Sequence, residues 1–405
     1  MKIEGYRQFG GKHCETGSLK NVLAHHGVEA PHSHAPFSEE MLLGIGGGIG
    51  FSYWVFQAGV GPSFFAGTRH ADPKAEFLAQ VCARLGLRVA VRETSSPKRG
   101  KEDLLSALAS GHPAIARGDM AALPYMGVPP DAHFGGHTFV IYGTDEATDR
   151  IFIADRPNRP VTVHAAELAA ARASRHKPFP PDHKLFLVEP PRVPIRLEML
   201  RRAILKGISD CCLHMLKPPL QNLGLKGLLK WADLVRNSGD PKGWPQVFAP
   251  GPPLYGALLA TFLSIEISGT GGGAFRSMYA AFLAEAAAVL DDPSLELVSG
   301  QFRQVAGLWS ELAAAALPEE VALFRETRGL VAERNCVFER QEPGAAERMR
   351  QINRRLEQIQ AEIKSAFPLE PAAVSGLLED LSARIRAIHA AEQDALAPFT
   401  ECASL

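Results

Sequence analysis

Gly11-Lys12-His13-Cys14-Glu15-Thr16-Gly17-Ser18-Leu19-Lys20-Asn21-Val22-Leu23-Ala24-His25-His26-Gly27 reads as a loop that runs into a helix. Leu19, Val22, Leu23 and His26 recur at i, i+3, i+4 and i+7, the apolar stripe of a helix. Gly27 stands where a left-handed stop residue belongs. This spacing puts Cys14 at the first helical turn. Unpaired N–H groups and the helix dipole there favour negative charge and push a thiol toward thiolate. A thiolate is the nucleophile of cysteine-based acyl transfer. A free cysteine is as a rule a small buried apolar residue, so Cys14 gains meaning only from a base and an orienting group elsewhere in the chain.

Both are found on one hairpin. In Phe134-Gly135-Gly136-His137-Thr138-Phe139-Val140-Ile141-Tyr142, a histidine opens an apolar strand, and two glycines before it permit close approach. In Ile151-Phe152-Ile153-Ala154-Asp155-Arg156-Pro157, a carboxylate ends the next strand. The polar turn Gly143–Arg150 returns the chain antiparallel, so Asp155 comes within reach of His137. A carboxylate there fixes the imidazole tautomer and stabilises the imidazolium.

Around these pieces, residues 1–190 alternate helix-like and strand-like segments. Expected strands at Leu87–Val91, Pro113–Ala116, His137–Tyr142, Ile151–Ala154, Val161–His164 and Leu185–Val188 would build an antiparallel sheet. After Glu189-Pro190-Pro191-Arg192-Val193-Pro194 the pattern is helical to the end. The expectation is therefore an α+β domain over 1–190 followed by an all-α domain over 195–405. A net charge of -1 gives no footprint for nucleic acid or an anionic membrane. Six scattered cysteines without framework spacing fit a reducing compartment. The best apolar run, Ala257–Ile267, is well short of the ~20 residues of a membrane span. A cytoplasmic protein is expected; whether it forms a homodimer is left open.

The order Cys, His, Asp on a helix followed by a sheet resembles the papain-like cysteine enzymes, especially the bacteriocin-leader-processing branch. Gln8, six residues before Cys14, is similar in spacing to their oxyanion-hole glutamine. It would donate to a developing oxyanion together with the backbone N–H of Cys14. More closely, the chain resembles the butirosin-biosynthesis BtrH family. The matching pieces are His13–Leu19, Ser38–Phe51, Leu123-Pro124-Tyr125, Gly135-Gly136-His137 and Ala154-Asp155, with Ile265–Arg276 for a helical companion domain. The member that lends the name moves an aminoacyl group from an acyl-carrier-protein thioester onto an amine of an aminoglycoside. The resemblance thus implies Cys14 as nucleophile, His137 as base and Asp155 as orienter. It does not fix the donor, carrier protein or coenzyme A, or the small amine acceptor. A peptidase or amidase with the same residues, and a non-catalytic binding protein that keeps the fold, are the alternatives. The helical domain is read as a lid or docking surface.

The glycine run 44–50 does not fit a nucleotide loop. Ile49 breaks the GxGxxG spacing, and no Gly-Lys-Ser/Thr follows. Gly46, Gly47, Gly48, Phe51 and Tyr53 are expected instead to wall the acyl pocket. Tyr125, with Arg69 and Asp119, lies in loops that could face substrate, and Glu266 could bind a cationic amine. Twelve of the fourteen histidines precede residue 184. No HExxH occurs, and two glycines between His133 and His137 rule out a shared helix face. No metal and no cofactor is expected.

Overall fold

The computed structural model describes residues 1–58, 61–69 and 76–399. In chain order the first elements are α1 (Cys14–His25), β1 (Glu29–Ala30), β2 (Ala35–Pro36), α2 (Glu39–Ile45), β3 (Ile49–Ala58) and β4 (Gly61–Arg69). Then come α3 (Phe77–Arg84), β5 (Val89–Arg92), α4 (Pro97–Ala109), β6 (Ala114–Gly118), β7 (His137–Asp145), β8 (Arg150–Ala154), β9 (Val161–His164), α5 (Ala165–Ala173) and β10 (Leu185–Val188). The remainder is helical: α6 (Leu197–Leu216), α7 (Gly224–Arg236), α8 (Trp244–Val247), α9 (Pro252–Phe262), α10 (Arg276–Leu290), α11 (Ser294–Ala316), α12 (Ala322–Arg340), α13 (Ala345–Ser365) and α14 (Pro371–Leu396). The fold class is α+β, as the patterning indicates. No helix among the described residues is long and apolar enough to cross a membrane.

Two compact units result, and their composition departs from a single cut near residue 190. The first comprises the described parts of Met1–Leu42, Asp72–Ala203 and Glu333–Asn353. The second comprises those of Leu43–Ala71, Ile204–Ala332 and Arg354–Leu405.

The first unit is built on a six-stranded antiparallel sheet of order β5-β10-β6-β7-β8-β9. β7 is buried from His137 through Thr144, so its run is continuously apolar where a half-exposed strand would alternate. α1 packs across it, with Leu19, Val22 and Leu23 fully buried. Gly27 adopts φ +66°, and the N–H groups of Gly27 and Val28 close the helix on the carbonyls of Ala24 and Leu23. The ends of α12 and α13 complete this unit. The Asn353 side chain donates to the Gly127 carbonyl (2.9 Å), and that of Gln341 to the Tyr125 carbonyl (3.0 Å). Asn158 N–H donates to the Glu339 carbonyl (2.8 Å), and the Arg156 guanidinium lies over the Phe338 ring.

The second unit includes the β3–β4 hairpin and covers its aromatic face. Phe51, Tyr53 and Phe64 stack against Trp231, Trp244 and Trp309, and the Trp244 indole N–H donates to Tyr53 Oη (2.9 Å). Beside them is a fully buried ion pair, Arg276 Nε to Glu392 Oε1 at 2.6 Å. The Arg276 guanidinium also donates to the carbonyls of Gly50, Thr68 and Ala274. A buried guanidinium requires this full set of acceptors. The glycine run is a packing seam of the same unit. A Cβ on Gly44 would lie 2.2 Å from the Phe282 ring, and one on Gly48, at φ +66°, 2.4 Å from the Tyr279 ring. Gly46, Gly47 and Gly48 are buried, as are Phe51 and Tyr53. The residues expected to wall an acyl pocket thus pack in the core of their own unit, where Gly44 and Gly48 admit helix α10 and the rings join the tryptophans.

Candidate active site

Cys14 occupies the first position of α1 and is half-buried. His13 caps the helix. Its ring Nδ1 accepts from the Thr16 N–H, and its carbonyl accepts from the Gly17 N–H (2.8 Å). The loop before the helix is gripped by Glu39, which is buried at the start of α2. Its carboxylate accepts from the N–H groups of Lys12 and His13 and from the Thr16 hydroxyl (2.9 Å). Asn21 ties the preceding turn: its amide donates to the carbonyls of Phe9 and Gly17 and accepts from the Phe9 N–H. Cys14 thus sits at a helix start whose approach is fixed on both sides.

His137 opens β7, facing Gly118 across the ladder. Its Nε2 donates to Asp155 Oδ2 at 2.7 Å, both residues being buried. That leaves Nδ1 as the ring nitrogen able to accept from Cys14, whose pKa His137 lowers. The same Asp155 oxygen accepts from the Tyr125 hydroxyl (2.8 Å), and Oδ1 accepts from the Arg156 N–H (2.7 Å). Tyr125, expected to face substrate, has its phenol buried against Asp155, where it donates to the carboxylate.

Electrostatics bias this chain toward an ion pair. Burial pushes the Cys14 thiol up, but the hydrogen bond and charge of His137 outweigh it, and the Cys14 pKa falls below its usual value. Glu15 opposes this, and Thr138 adds to it. The Thr138 hydroxyl is buried without a hydrogen-bond partner among the described residues. For His137, burial works against the imidazolium, yet the charge and hydrogen bond of Asp155, followed by Cys14, raise it to about 10. Burial raises Asp155, and His137, the Arg156 N–H and the Tyr125 hydroxyl lower it further, so it stays below the usual carboxylate value. The buried thiols of Cys82 and Cys211 go the other way, up to about 12. The arrangement can supply a thiolate beside a proton donor, the two requirements of covalent acyl chemistry.

Residues 13–156 match the family described as butirosin biosynthesis protein H, N-terminal. Over these residues the chain is similar to the BtrH-type N-terminal domain. Residues 166–322 match a domain of unknown function (DUF4872). Among curated proteins, none matches the chain. The BtrH-type match spans Cys14, Glu39, Tyr125, His137 and Asp155, and it leaves Gln8 outside.

Gln8 is found in a different role from a free oxyanion donor. Its amide nitrogen donates to the carbonyls of Asp155 (3.0 Å), Pro157 and Arg159 (3.1 Å). It clamps the segment that follows the carboxylate. Glu266 lies in the second unit, on the π-helical turn Leu263–Ile267, where Oε1 accepts from the Ser310 hydroxyl (2.6 Å). Of the residues singled out in the sequence, the first unit brings Cys14, His137, Asp155 and Tyr125 together. Glu39 and Thr138 went unseen. An acid in the first turn of a helix, as Glu39 is, is already accounted for by the helix dipole; Thr138, inside an apolar strand, carries no signal.

Proposed function

We propose that the chain is a cysteine acyltransferase that moves an acyl or aminoacyl group from a thioester to an amine of a small molecule. The donor is a carrier-protein or coenzyme A thioester. The observation that carries the reading is the Cys14–His137–Asp155 chain at the start of α1, biased toward thiolate and imidazolium, inside a BtrH-type domain. Cys14 Sγ attacks the thioester carbonyl; the new C–S bond forms, the donor C–S bond breaks, and the departing thiolate takes the proton of His137. Acylation removes the Cys14 charge that helped to hold that proton, which makes His137 the better base for the next step. The amine attacks the acyl-enzyme, His137 accepts its proton, and Cys14 leaves as thiolate with the amide formed. The helix-start N–H of Cys14, which has no intrahelical partner, and the Thr138 hydroxyl are suited to the developing oxyanion.

The test is intact mass after incubation with acyl-carrier-protein, coenzyme A and N-acetylcysteamine thioesters, wild type beside Cys14→Ala. An acyl adduct on wild type alone, discharged to an amide by an amine, is the expected result. Discharge to free acid would reassign the site to hydrolysis. No adduct from any donor, with Cys14 inert to iodoacetamide at neutral pH, would leave a binding protein.

A further inference from the structure

Beside the strand start that carries His137, three loops bring together side chains that the acyl chemistry does not use. Asp119 follows β6 directly and is buried. Its Oδ1 accepts from the N–H groups of Ala121 (3.2 Å) and Phe134 (3.1 Å). Its Oδ2 accepts from the Ser174 hydroxyl (2.6 Å) and from His133 Nδ1 (2.8 Å). The His133 ring lies on that of His176, with centroids 3.3 Å apart and planes 7° from parallel. One donor atom from each of Asp119, His133 and His176 lies within 4.8 Å of the other two.

We propose that Asp119, His133 and His176 bind one divalent transition-metal ion of the zinc type. Two imidazole nitrogens and one carboxylate oxygen are the donor set such borderline ions take, whereas Mg²⁺ and Ca²⁺ take oxygen. Donors on a tetrahedral ion at ~2.0–2.1 Å lie about 3.3 Å from one another. The Asp119–His133 pair is already at that scale, and an ion there takes the place of the proton the two now share. His176 is exposed, so its ring is free to splay from the stack and bring its nitrogen in. The carboxylate needs no rearrangement: two backbone N–H groups and a hydroxyl hold it, the outer-shell support that metal-binding carboxylates have. The remaining coordination positions face solvent or a further ligand. The ion would tie the residue after Gly118, which pairs with His137 in the ladder, to the loop four residues before His137. It is thus a staple for the strand ends, separate from the reacting atoms.

The spacing of His133 and His137 gave no hint of this, because the third ligand comes from a loop more than forty residues downstream. The experiment is calorimetric titration of the full chain with ZnCl₂, made in a Cys14→Ser background so that the thiolate cannot compete. Co²⁺ spectra are recorded alongside. The expected result is one ion per chain, weakened roughly 10–100-fold or more by His133→Gln and by His176→Gln separately. Each variant should also lose the Co²⁺ d–d bands, with circular dichroism unchanged. Absence of stoichiometric binding in Cys14→Ser would overturn the proposal, and so would binding that survives either histidine substitution. Neither outcome bears on the acyl chemistry of Cys14.

Discussion

Replacing Asp155 by asparagine tests the candidate site most sharply, because the carboxylate has three donors around it and an amide can satisfy only part of them. Oδ2 receives His137 Nε2–H and the Tyr125 hydroxyl, and Oδ1 receives the Arg156 N–H. If the amide oxygen stays toward His137, the new NH₂ meets the Arg156 N–H. If it turns, the NH₂ meets Nε2, which must then be unprotonated, and the proton moves to Nδ1, where it blocks acceptance from Cys14. Either way the negative charge is lost. His137 is raised from 6.5 to about 10, a difference of about 3.5 units, or ~5 kcal/mol at 1.36 kcal/mol per unit. Asp155 supplies the larger share of that rise. Without it, burial pulls His137 back down, and the thiolate loses its partner. Formation of the acyl-enzyme at pH 7 should therefore fall about 10³-fold. Rapid-quench intact mass with a reactive acyl thioester measures it. A folded Asp155→Asn protein that acylates within about tenfold of wild type would refute the ion-pair reasoning.

Tyr125→Phe removes one of two donors from a charged oxygen, an interaction of about 1.5–3 kcal/mol. It should slow acylation at least tenfold with KM for the thioester unchanged; a raised KM at constant kcat would return Tyr125 to substrate contact. The rate of transfer should rise with pH through the lowered Cys14 ionisation, at a pH below that of an ordinary thiol, and fall as His137 loses its proton near 10. A pH–rate profile that climbs only near pH 9 would contradict this. Glu39→Gln sets an NH₂ against a loop N–H and should cost about 1–3 kcal/mol, read as a lower Tm together with faster proteolysis before Cys14. Gly44→Ala forces a methyl into the buried Phe282 ring and should cost about 1–3 kcal/mol, or several degrees of Tm by calorimetry, with the iodoacetamide reactivity of Cys14 unchanged.

The readable parts of the chain were those where local pattern and tertiary role coincide. Val161–His164 and Leu185–Val188 are strands as their period indicates, and the polar turn after β7 delivers Asp155 to His137. The helix-start position of Cys14 followed from the i, i+3, i+4 stripe and the stop at Gly27. What could not be read depends on partners distant in sequence. Nothing local distinguishes Phe51 and Tyr53 as rings for a pocket from rings for a core; Trp231 and Trp309 decide it. Gln8 has the spacing of an oxyanion donor, yet the carbonyls after Asp155 claim its amide. Tyr125 looked like a loop aromatic because its phenol's acceptor lies thirty residues away.

The ends of α12 and α13 give the first unit an unusual timetable during synthesis. The loops bearing Tyr125 and the segment after Asp155 are fastened by Gln341, Glu339 and Asn353. At translation rates of about 5–20 residues per second, the ~200 residues between Asn158 and Asn353 take roughly 10–40 s to emerge. For that interval the nascent chain holds Cys14, His137 and Asp155 without the clamp around them. The surroundings of Cys14, His137 and Asp155 are therefore complete only when nearly the whole polypeptide has been made.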